Sequence, residues 1–447
     1  MDLDALWLSR LQFALTVGFH FLFPPLTIGL AWLLVLVEWR GWRRGDEDYI
    51  RAGRFFGKIL GLTFALGVAS GVVMEFQFGT NWAEYAKYVG DIFGAPLAAE
   101  GVFAFFLESA FLGLYLFGRE RVSKGTHWFA CLMVAVGATI SAFWIIVANS
   151  WQQTPAGYEI RHGRAELTDF AAAMFNPSTA DRFFHTFVAC LIAGAFLMAG
   201  ISAYLILKHR AAEVARKTLK ISLIFGLIVS VLALFPTGHH HAQQVARTQP
   251  EKFAVMEGLI DGQTRAPLTV FGLPSEEPPR VGLKMGIPGV LSLMAFGDAD
   301  AYVPGIVDLR EQGRPTPPFV ITFVCFHTMV GLGTLFIALS ALGVFLLYRK
   351  RLFETRWYLR LLLWTIPLPL IACEVGWIVA EVGRQPWVVY RILKTEEAYS
   401  ANVTGGEVLF SIIMFGLIYL MLGVLYVFIL ARNVKRGPGP LPAKEVR

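Results

Sequence analysis

Long apolar runs alternate with short polar segments along the whole chain. Nine runs hold about 18 or more residues each, enough to cross a hydrocarbon core of ~30 Å as an α-helix. The pattern therefore predicts an all-α, polytopic membrane protein with nine transmembrane helices. The predicted spans are residues 11–38, 55–78, 97–117, 128–149, 183–207, 221–238, 319–347, 361–382 and 407–431.

The segments that connect the runs form two alternating sets that differ in basic charge. The shorter set holds 23 of the 39 Lys and Arg residues. Because basic connections stay on the cytoplasmic side, we expect the N-terminus outside and the C-terminus in the cytoplasm. The basic set comprises residues 40–54, 119–124, 208–220, 349–360 and 432–447.

Composition supports this interpretation and excludes others. Hydrophobic residues make up 55% of the 447 and charged residues 16%, which rules out a string of soluble domains. The net charge of +6 reflects topology, so no nucleic-acid partner is expected. The acidic start and a first run long enough to span argue against a cleaved signal peptide.

The outer segment 239–318 is the one sizeable polar region, and it is rich in Pro, Gly and charge. Connections of this length are functional or disordered. We therefore divide the chain into helices 1–6 (residues 1–238), an outer loop (239–318), and helices 7–9 with a cytoplasmic tail (319–447). The inner connections are brief, so small molecules are expected to be handled at the outer face.

Five residues that can bind a metal or a proton lie inside apolar runs. At ~1.5 Å per residue, all five fall in the outer half of the membrane. Donors from five helices at one depth are what haems in a helix bundle require. The five are His20, Glu100, His185, Met329 and Glu374.

Each of these residues also has a structural interpretation. A single histidine near a helix end is more often a hydrogen-bonded structural residue, and Met329 alone would be core filling. A carboxylate in hydrocarbon, however, needs a partner, a proton or a metal. His327 competes with Met329, since residues two apart on a helix point about 200° apart and only one can face a given haem.

Glu108 follows Glu100 on the same predicted helix. Eight residues place the two carboxylates about 80° apart and ~12 Å along the axis, with Glu108 the deeper. With hydroxyls such as that of Ser141 on the next helix, Glu108 suits a proton relay from the inner side. The alternative is a protonated structural hydrogen-bonder. Before these residues, the aromatic and glycine-rich segment 79–96 is expected to be an outer loop that covers the site.

The remaining histidines and the cysteines carry weaker signals. His239, His240 and His241 resemble a metal cluster, but histidines at a helix C-terminus also interact favourably with its dipole, and we favour that interpretation. We expect solvated side chains at His127, His162 and His209, and small core residues at the four cysteines, which form no CxxC motif. These cysteines are Cys131, Cys190, Cys325 and Cys373.

Several spaced motifs resemble subunit I of the cytochrome bd quinol oxidases over nearly the whole chain. The resemblance implies a terminal oxidase subunit of the prokaryotic inner membrane, which oxidises membrane quinol outside and reduces oxygen to water with cytoplasmic protons, generating proton motive force. The motifs are SRLQFA at 9–14, HFLF at 20–23, GVVMEFQFGTNW at 71–82, VANSW at 147–151, FHT at 184–186, Gln249-Pro250, PLP at 367–369, EVGW at 374–377 and GRQPW at 383–387.

The resemblance also implies roles for individual residues. His185 and Met329 match the axial ligands of haem b558, while His20 and Glu374 match the protein ligands of haems b595 and d, in an order that stays open. Glu100 matches a carboxylate beside the oxygen-reducing haem, where it would be the final proton donor, and Glu108 matches the proton path. In the outer loop, Lys252 and Glu257 match quinol-binding positions. A second membrane subunit (subunit II) is implied, and small single-helix subunits are compatible with the family.

Two departures from the family pattern leave points open. The outer loop is of the short form, and ubiquinol and menaquinol are not distinguished. His327 stands where well-known members carry Arg. Separately, the resemblance leaves open whether a third haem b replaces haem d, as in cyanide-insensitive relatives.

Three other classes of protein fit the sequence less well. A dihaem cytochrome b would need paired histidines on facing helices, and a haem–copper oxidase would need a larger histidine set. A transporter without haem leaves the five donors unexplained, and no inverted repeats support it.

Overall fold

Nine long apolar helical segments cross the molecule in the computed structural model, which describes residues 4–441. The prediction of an all-α protein with nine spans is confirmed for these residues. The spans are Ala5–Arg44, Glu47–Thr80, Ala83–Phe117, Lys124–Gln153, Thr179–Leu207, Ala212–Thr248, Phe319–Tyr348, Arg356–Val382 and Gly405–Arg436.

Several spans contain a break, so the described residues form more helices than spans. The α-helices are α1 (Ala5–Phe21), α2 (Pro24–Arg44), α3 (Glu47–Thr80), α4 (Ala83–Ala99), α5 (Phe106–Phe117), α6 (Lys124–Gln153), α7 (Phe170–Met174), α8 (Thr179–Leu207), α9 (Ala212–Leu232), α10 (His239–Thr248), α11 (Pro250–Glu257), α12 (Val290–Phe296), α13 (Ile306–Glu311), α14 (Phe319–Tyr348), α15 (Arg356–Trp364), α16 (Leu368–Val382) and α17 (Gly405–Arg436).

Eight short strands form four antiparallel pairs: β1 with β2, β3 with β6, β4 with β5, and β7 with β8. All four pairs lie in connections of the longer set. The strands are β1 (Tyr158–Arg161), β2 (Arg164–Leu167), β3 (Gln263–Thr264), β4 (Leu268–Ser275), β5 (Arg280–Ile287), β6 (Tyr302–Val303), β7 (Trp387–Val389) and β8 (Leu393–Lys394).

The breaks have local causes. Pro24 opens α2 after the turn that ends α1, and Pro367 precedes α16, because proline is best tolerated at the start of a helix. Two π-helical turns, Glu100–Phe105 and Ala233–Gly238, join α4 to α5 and α9 to α10, and the second is kinked at Phe235, whose backbone is extended. Such turns re-aim the side chains around them and are common at functional sites.

Helix α8 is the centre of the bundle, since 83% of its most apolar window is buried. It crosses α2 in direct backbone contact at Gly29 and Gly194, where a Cβ on Gly194 would lie 2.1 Å from the carbonyl carbon of Gly29. Only glycine permits this approach, as in other close-packed membrane helices. Helix α17 lies at the periphery, with 11% of its window buried.

Two predictions about the outer segments are wrong. Helix α3 continues to Thr80 and α4 begins at Ala83, so the expected loop at 79–96 is almost entirely helical. The sixth span continues through His239–Thr248 instead of ending at residue 238. Both α4 and α10 carry polar residues, and a hydropathy pattern does not assign such residues to a span.

The three-part division of the chain and the N-outside orientation stay predictions. The short connections and the strand-bearing connections do lie at opposite ends of the spans, as the charge pattern requires. The described residues do not include residues 1–3, which belong to the acidic start that argued against a signal peptide. They also do not include residues 442–447 of the basic tail.

Candidate functional site

The helices that carry His185, Met329 and Glu374 pack together. A buried apolar cluster joins α8, α14 and α16 through Val188, Leu332 and Ala372, among others. Val188 and Leu332 lie three residues, slightly less than one turn, beyond His185 and Met329. The three candidate donors therefore lie just to one side of a common apolar layer.

The imidazole of His185 has space but lacks a full set of partners. Its Nδ1 is buried and makes no hydrogen bond of normal geometry within the described residues, although the backbone of Ala233 lies close to the ring. The ring lies against Gly238 in the second π-helical turn, where a Cβ would come 3.3 Å from His185 Cε1. The ring of His241 lies 5.5 Å away between centroids. Such an orphaned nitrogen calls for an explanation such as an absent ligand.

Met329 and His327 have different surroundings on α14. A Cβ on Gly376 would lie 2.8 Å from Met329 Sδ, so glycine leaves room for the thioether beside α16. Both ring nitrogens of His327 lie 3.0 Å from backbone carbonyl oxygens, those of Phe323 and Thr269. The His327 ring is thus engaged by the backbone, whereas the Met329 sulfur is not.

His20 on α1 is oriented by Ser70 on α3. The Ser70 hydroxyl lies 2.8 Å from the Leu66 carbonyl, to which it donates its proton. Its oxygen is then the acceptor for His20 Nδ1, 3.0 Å away. This leaves the Nε2 lone pair free, which is the usual arrangement behind a metal-binding histidine.

Glu374 reaches from α16 toward α1. Its Oε2 lies 3.6 Å from the position of a Cβ on Gly18, two residues before His20. Its Oε1 is buried without a hydrogen-bond partner among residues 4–441. The structure therefore brings the carboxylate of Glu374 close to the helix that carries His20.

Glu100 and Glu108 are separated by the first π-helical turn, which begins at Glu100. Ser141 on α6 donates to Glu100 Oε1 at 2.7 Å, so its hydroxyl contacts the first of the two carboxylates. Glu108 is buried, and its backbone passes Gly137, where a Cβ would lie 3.0 Å from Glu108 Cβ. The angle expected for a regular helix does not hold across a π turn.

Glu75 on α3 is a third carboxylate in this region that the sequence analysis did not single out. It lies within electrostatic range of Glu100. It lies in the motif at 71–82, and the rule that intramembrane carboxylates are functional candidates would have identified it.

Lys252 and Glu257 share α11 but face different surroundings. Lys252 Nζ is buried and donates to Gln153 Oε1 at 2.6 Å and to the Ala380 carbonyl at 3.2 Å. Burial, with Arg182 and Arg384 nearby, holds the pKa of Lys252 well below its usual value. The structure does not bring the two side chains together as one pair.

Glu257 lies under the β4–β5 hairpin. The Thr269 hydroxyl donates to its backbone carbonyl at 2.8 Å, while its Oε2 has no partner within the described chain. Burial raises the pKa of Glu257 to about 8, against a smaller opposing effect of Lys284. A carboxyl group with this pKa can accept or release a proton near neutral pH.

A buried polar network beside Lys252 contains more cations than anions. Arg384 and Asn149 both hydrogen-bond Glu381, and Arg182 hydrogen-bonds Asn149. Arg182 Nε has no partner within residues 4–441. Arg182 and Arg384 thus share the single carboxylate of Glu381, and buried cations in excess need an anionic partner.

The histidine predictions had mixed outcomes. His162 and His209 are exposed, as expected. The interpretation of His239, His240 and His241 as the end of a helix is wrong, because they begin α10. No group of three or more metal-binding side chains occurs in the described part of the chain, and all four cysteines are free.

His127 belongs to a second buried cluster at the opposite end of the spans, so its predicted solvation is wrong. Its Nε2 lies 2.9 Å from the Tyr115 carbonyl, and its Nδ1 lies 3.8 Å from Glu38 Oε2. Glu38 Oε1 accepts from Tyr115 at 3.0 Å and pairs with Arg119. Gly53 makes room, since a Cβ there would overlap the Glu38 carboxylate.

The donor set fits haem. Imidazole, thioether and carboxylate groups are all haem-iron ligands. Two of them, on His185 and Glu374, have buried atoms without protein partners. The fold and this donor set define a multi-pass membrane protein of the haem-binding redox class.

Comparison with known proteins identifies the family. Residues 8–438 match the family described as cytochrome bd terminal oxidase subunit I. The chain is 39% identical to the cytochrome bd ubiquinol oxidase subunit 1 of Bacillus subtilis (strain 168), covering 97% of this chain and 94% of that one. It is 35% identical to the cytochrome bd-II ubiquinol oxidase subunit 1 of Escherichia coli (strain K12), covering 99% and 98%.

A solved structure agrees with these sequence matches. The bd oxidase from Geobacillus thermodenitrificans superposes with a TM-score of 0.92 at 31% identity, covering 98% of this chain and 100% of that chain. The chain belongs to the cytochrome bd terminal oxidase subunit I family. It is a haem-containing terminal oxidase subunit and a multi-pass protein of a prokaryotic plasma membrane.

Proposed function

We propose that this subunit oxidises membrane quinol at its outer face and carries the electrons to a site where oxygen is reduced to water. The substrate class is a membrane quinol, since relatives of this chain include proteins named ubiquinol oxidases and one named a putative menaquinol oxidase. Membership of the terminal oxidase family supports the overall reaction.

The four donors would hold three haems. His185 and Met329 would bind the iron of haem b558, and His20 and Glu374 would each bind one of haem b595 and haem d, or a third haem b in place of haem d. The unpaired His185 Nδ1 and Glu374 Oε1 support this assignment. Bound haem supplies one-electron transfer and oxygen reduction, which side chains alone do not provide.

The excess of buried cations suits the acid groups of a haem. Arg182 and Arg384 lie at the outer ends of α8 and α16, close to the proposed donors. A haem carboxylate bound beside these two arginines would offset the positive charge that the single carboxylate of Glu381 does not neutralise. The network would then fix the orientation of the bound group.

Glu257 is the proposed base for quinol. Its unpaired Oε2 can accept a proton from a quinol hydroxyl, and its pKa of about 8 suits release of that proton to the outer solution. Lys252 would orient the quinol oxygen by hydrogen bonding.

Glu251 fixes the helix that bears both quinol-binding residues. Its carboxylate accepts from Arg314 at 2.6 Å, Arg391 at 2.9 Å and Tyr390 at 2.8 Å. These contacts lower the pKa of Glu251, which therefore stays ionised. Three outer segments are thereby held together around α11.

Protons for oxygen reduction would come from the cytoplasmic side through Glu108 and Glu100. The hydrogen bond from Ser141 orients Glu100, which is the proposed final donor. With quinol protons released outside and oxygen protons taken from inside, charge separates without a pump. This assignment depends on the N-outside orientation.

A second membrane subunit, subunit II, is the proposed partner, and small single-helix subunits are compatible with the family. Many large apolar side chains of α17, including Leu417, Leu420 and Val424, are exposed and would meet lipid or such a partner. The bilayer itself is the remaining partner.

The pair of unpaired donor atoms on His185 and Glu374 carries this proposal, and the complete oxidase in proteoliposomes tests it. Oxygen consumption with ubiquinol, and b-type bands in the reduced-minus-oxidised spectrum, are expected. A further band in the red would identify haem d, and b-type bands alone would identify a third haem b. Absence of haem bands would overturn the proposal.

The proton route has its own test. Glu108→Gln should lower both turnover and the membrane potential, because the amide cannot pass a proton. Glu84→Gln is the control, since Glu84 forms an exposed pair with Lys87 on the same span. Full turnover and potential in Glu108→Gln would contradict the route.

A further inference from the structure

The β4–β5 hairpin exposes a band of large apolar side chains although it lies outside the spans. At least half of the surface of each of these side chains is exposed, and Leu283 reaches 75%. Contiguous apolar patches on a protein surface mark contact with another apolar phase or partner. The band consists of Val270, Phe271, Leu273, Leu283, Met285 and Ile287.

The backbone is distorted so that this band faces outward. Leu283 has φ of 47°, a left-handed conformation that is uncommon for residues other than glycine. The pairing of the two strands shifts register twice, at Thr269/Phe271 and at Phe271/Leu273. A strained backbone that exposes apolar side chains is unfavourable in water. The backbone conformation of this hairpin therefore indicates that its exposed side chains lie in an apolar environment.

The hairpin lies along the first two turns of α14. Its tip reaches the start of the helix, where the Glu276 carboxylate accepts from the backbone N–H groups of Phe319 and Val320 at 2.9 Å. Its base lies deeper, since the Thr269 carbonyl lies 3.0 Å from His327 Nε2. Eight residues separate Phe319 from His327, which is ~12 Å along the helix axis.

This placement brings the base of the hairpin to membrane depth. Helix α14 has 30 residues. At ~1.5 Å per residue, a helix of this length exceeds a hydrocarbon core of ~30 Å by ~7 Å at each end if it is centred. The level of His327 is then a few ångströms inside the core. On α14 itself, Ile321 and Val324 are exposed within the same turns of the helix, so the span also presents apolar surface at this depth.

Charged residues along the hairpin lie mainly at its tip, the end that is farther from the membrane core. Glu276, Glu277 and Arg280 lie at the tip, while the outer side of the strands near the base carries apolar side chains, up to the exposed Arg265–Asp300 pair that adjoins the base. Lys284, the one cation within the band, turns its ammonium group inward to the Gly258 carbonyl at 3.3 Å. A gradient from apolar base to charged tip matches the passage from acyl chains to water, which a protein partner would not require.

We propose that the β4–β5 hairpin is a membrane-surface element whose apolar band lies in the acyl region of the adjacent leaflet. Its occupant is lipid, and the hairpin thereby seats the outer loop on the bilayer above Glu257. The proposal rests on the position and exposure of the hairpin and does not depend on which haems or quinol the protein binds.

Spin labelling of the complete oxidase in phosphatidylcholine nanodiscs tests this. A label is placed at Leu283→Cys, and its collision rates with oxygen, which partitions into lipid, and with a water-soluble nickel chelate are compared. Ile160→Cys on β1 is the matched control, because Ile160 is 53% exposed on a strand and lies between the exposed charged residues Glu159 and Arg161. The native cysteines lie inside spans, and the unsubstituted chain gives their background.

A several-fold higher ratio of oxygen to nickel collisions at Leu283→Cys than at Ile160→Cys is expected. A ratio equal to that of the control would show a water-exposed hairpin, and low collision rates with both reagents would show a covering protein chain. Either outcome overturns the proposal. Met285→Cys repeats the measurement away from the strained residue, so that a local disturbance at Leu283 cannot decide the result.

Discussion

The two ends of the helix bundle treat buried polar groups in opposite ways. At the inner end, Glu38 Oε1 accepts from Tyr115 and pairs with Arg119, and His127 Nδ1 lies 3.8 Å from Glu38 Oε2. At the outer end, His185 Nδ1 and Glu374 Oε1 are buried without partners in the described chain. A saturated cluster stabilises the fold, whereas unsatisfied donors mark places where something other than the protein completes the bonding. We therefore expect the cluster around Glu38 to be structural and the layer around His185 and Glu374 to be functional.

The largest expected effect concerns Glu257, whose carboxylate belongs to the unsatisfied outer group. Loss of a general base costs about 10²–10⁴-fold in rate. Glu257→Gln should therefore lower kcat/KM for quinol by that order, measured as oxygen uptake at limiting quinol. Since burial raises the pKa of Glu257 to about 8, the ionised form increases as pH rises. Wild-type kcat/KM should rise with pH and level off above about 8, and the variant should lose this dependence.

Glu276→Gln is the control for Glu257→Gln, since Glu276 lies in the same outer loop and binds only backbone N–H groups. If the pH profile of kcat/KM in Glu257→Gln matched that of the wild type, Glu257 would not be the base in quinol oxidation.

The next largest effect is expected on the stability of the protein when the cluster around Glu38 is changed. Glu38→Ala leaves the Arg119 guanidinium buried without its carboxylate, and such changes cost about 3–5 kcal/mol. The thermal midpoint of the purified protein should fall strongly, while the haem spectrum of the protein that stays folded should not change. Arg161→Ala removes an exposed pair with Glu159, for which about 0–1 kcal/mol is expected. Equal midpoints for the two variants would contradict the contrast between the ends.

A smaller effect is expected for Ser70, which acts on the outer layer through His20. Removing a hydrogen-bond partner behind a metal ligand lowers metal affinity by about 10–100-fold. Ser70→Ala should lose haem more readily than the wild type when challenged with a haem-binding apoprotein. Ser222→Ala is matched, because Ser222 is equally buried and bonds only to its own helix. Similar haem loss from both variants would argue against the role of Ser70.

The sequence predicted the spans well because an apolar run must be long to cross a bilayer. It failed where helices continue in polar or aromatic residues, as in α4 and α10, since hydropathy does not report a helix outside the core. His127 was misassigned because its partners Tyr115 and Glu38 lie on other helices. The candidate donors could be found from type and depth alone, but the unpaired atoms and the orienting bond from Ser70 required coordinates.

The central claim is that the outer layer holds haem through the named donors. The most direct test is the reduced-minus-oxidised spectrum of His185→Ala in the complete oxidase, beside His162→Ala, whose side chain is exposed. The account predicts loss of the low-spin b-type band in His185→Ala, with the other haem bands retained, and no change in His162→Ala. An unaltered low-spin band in His185→Ala would contradict it.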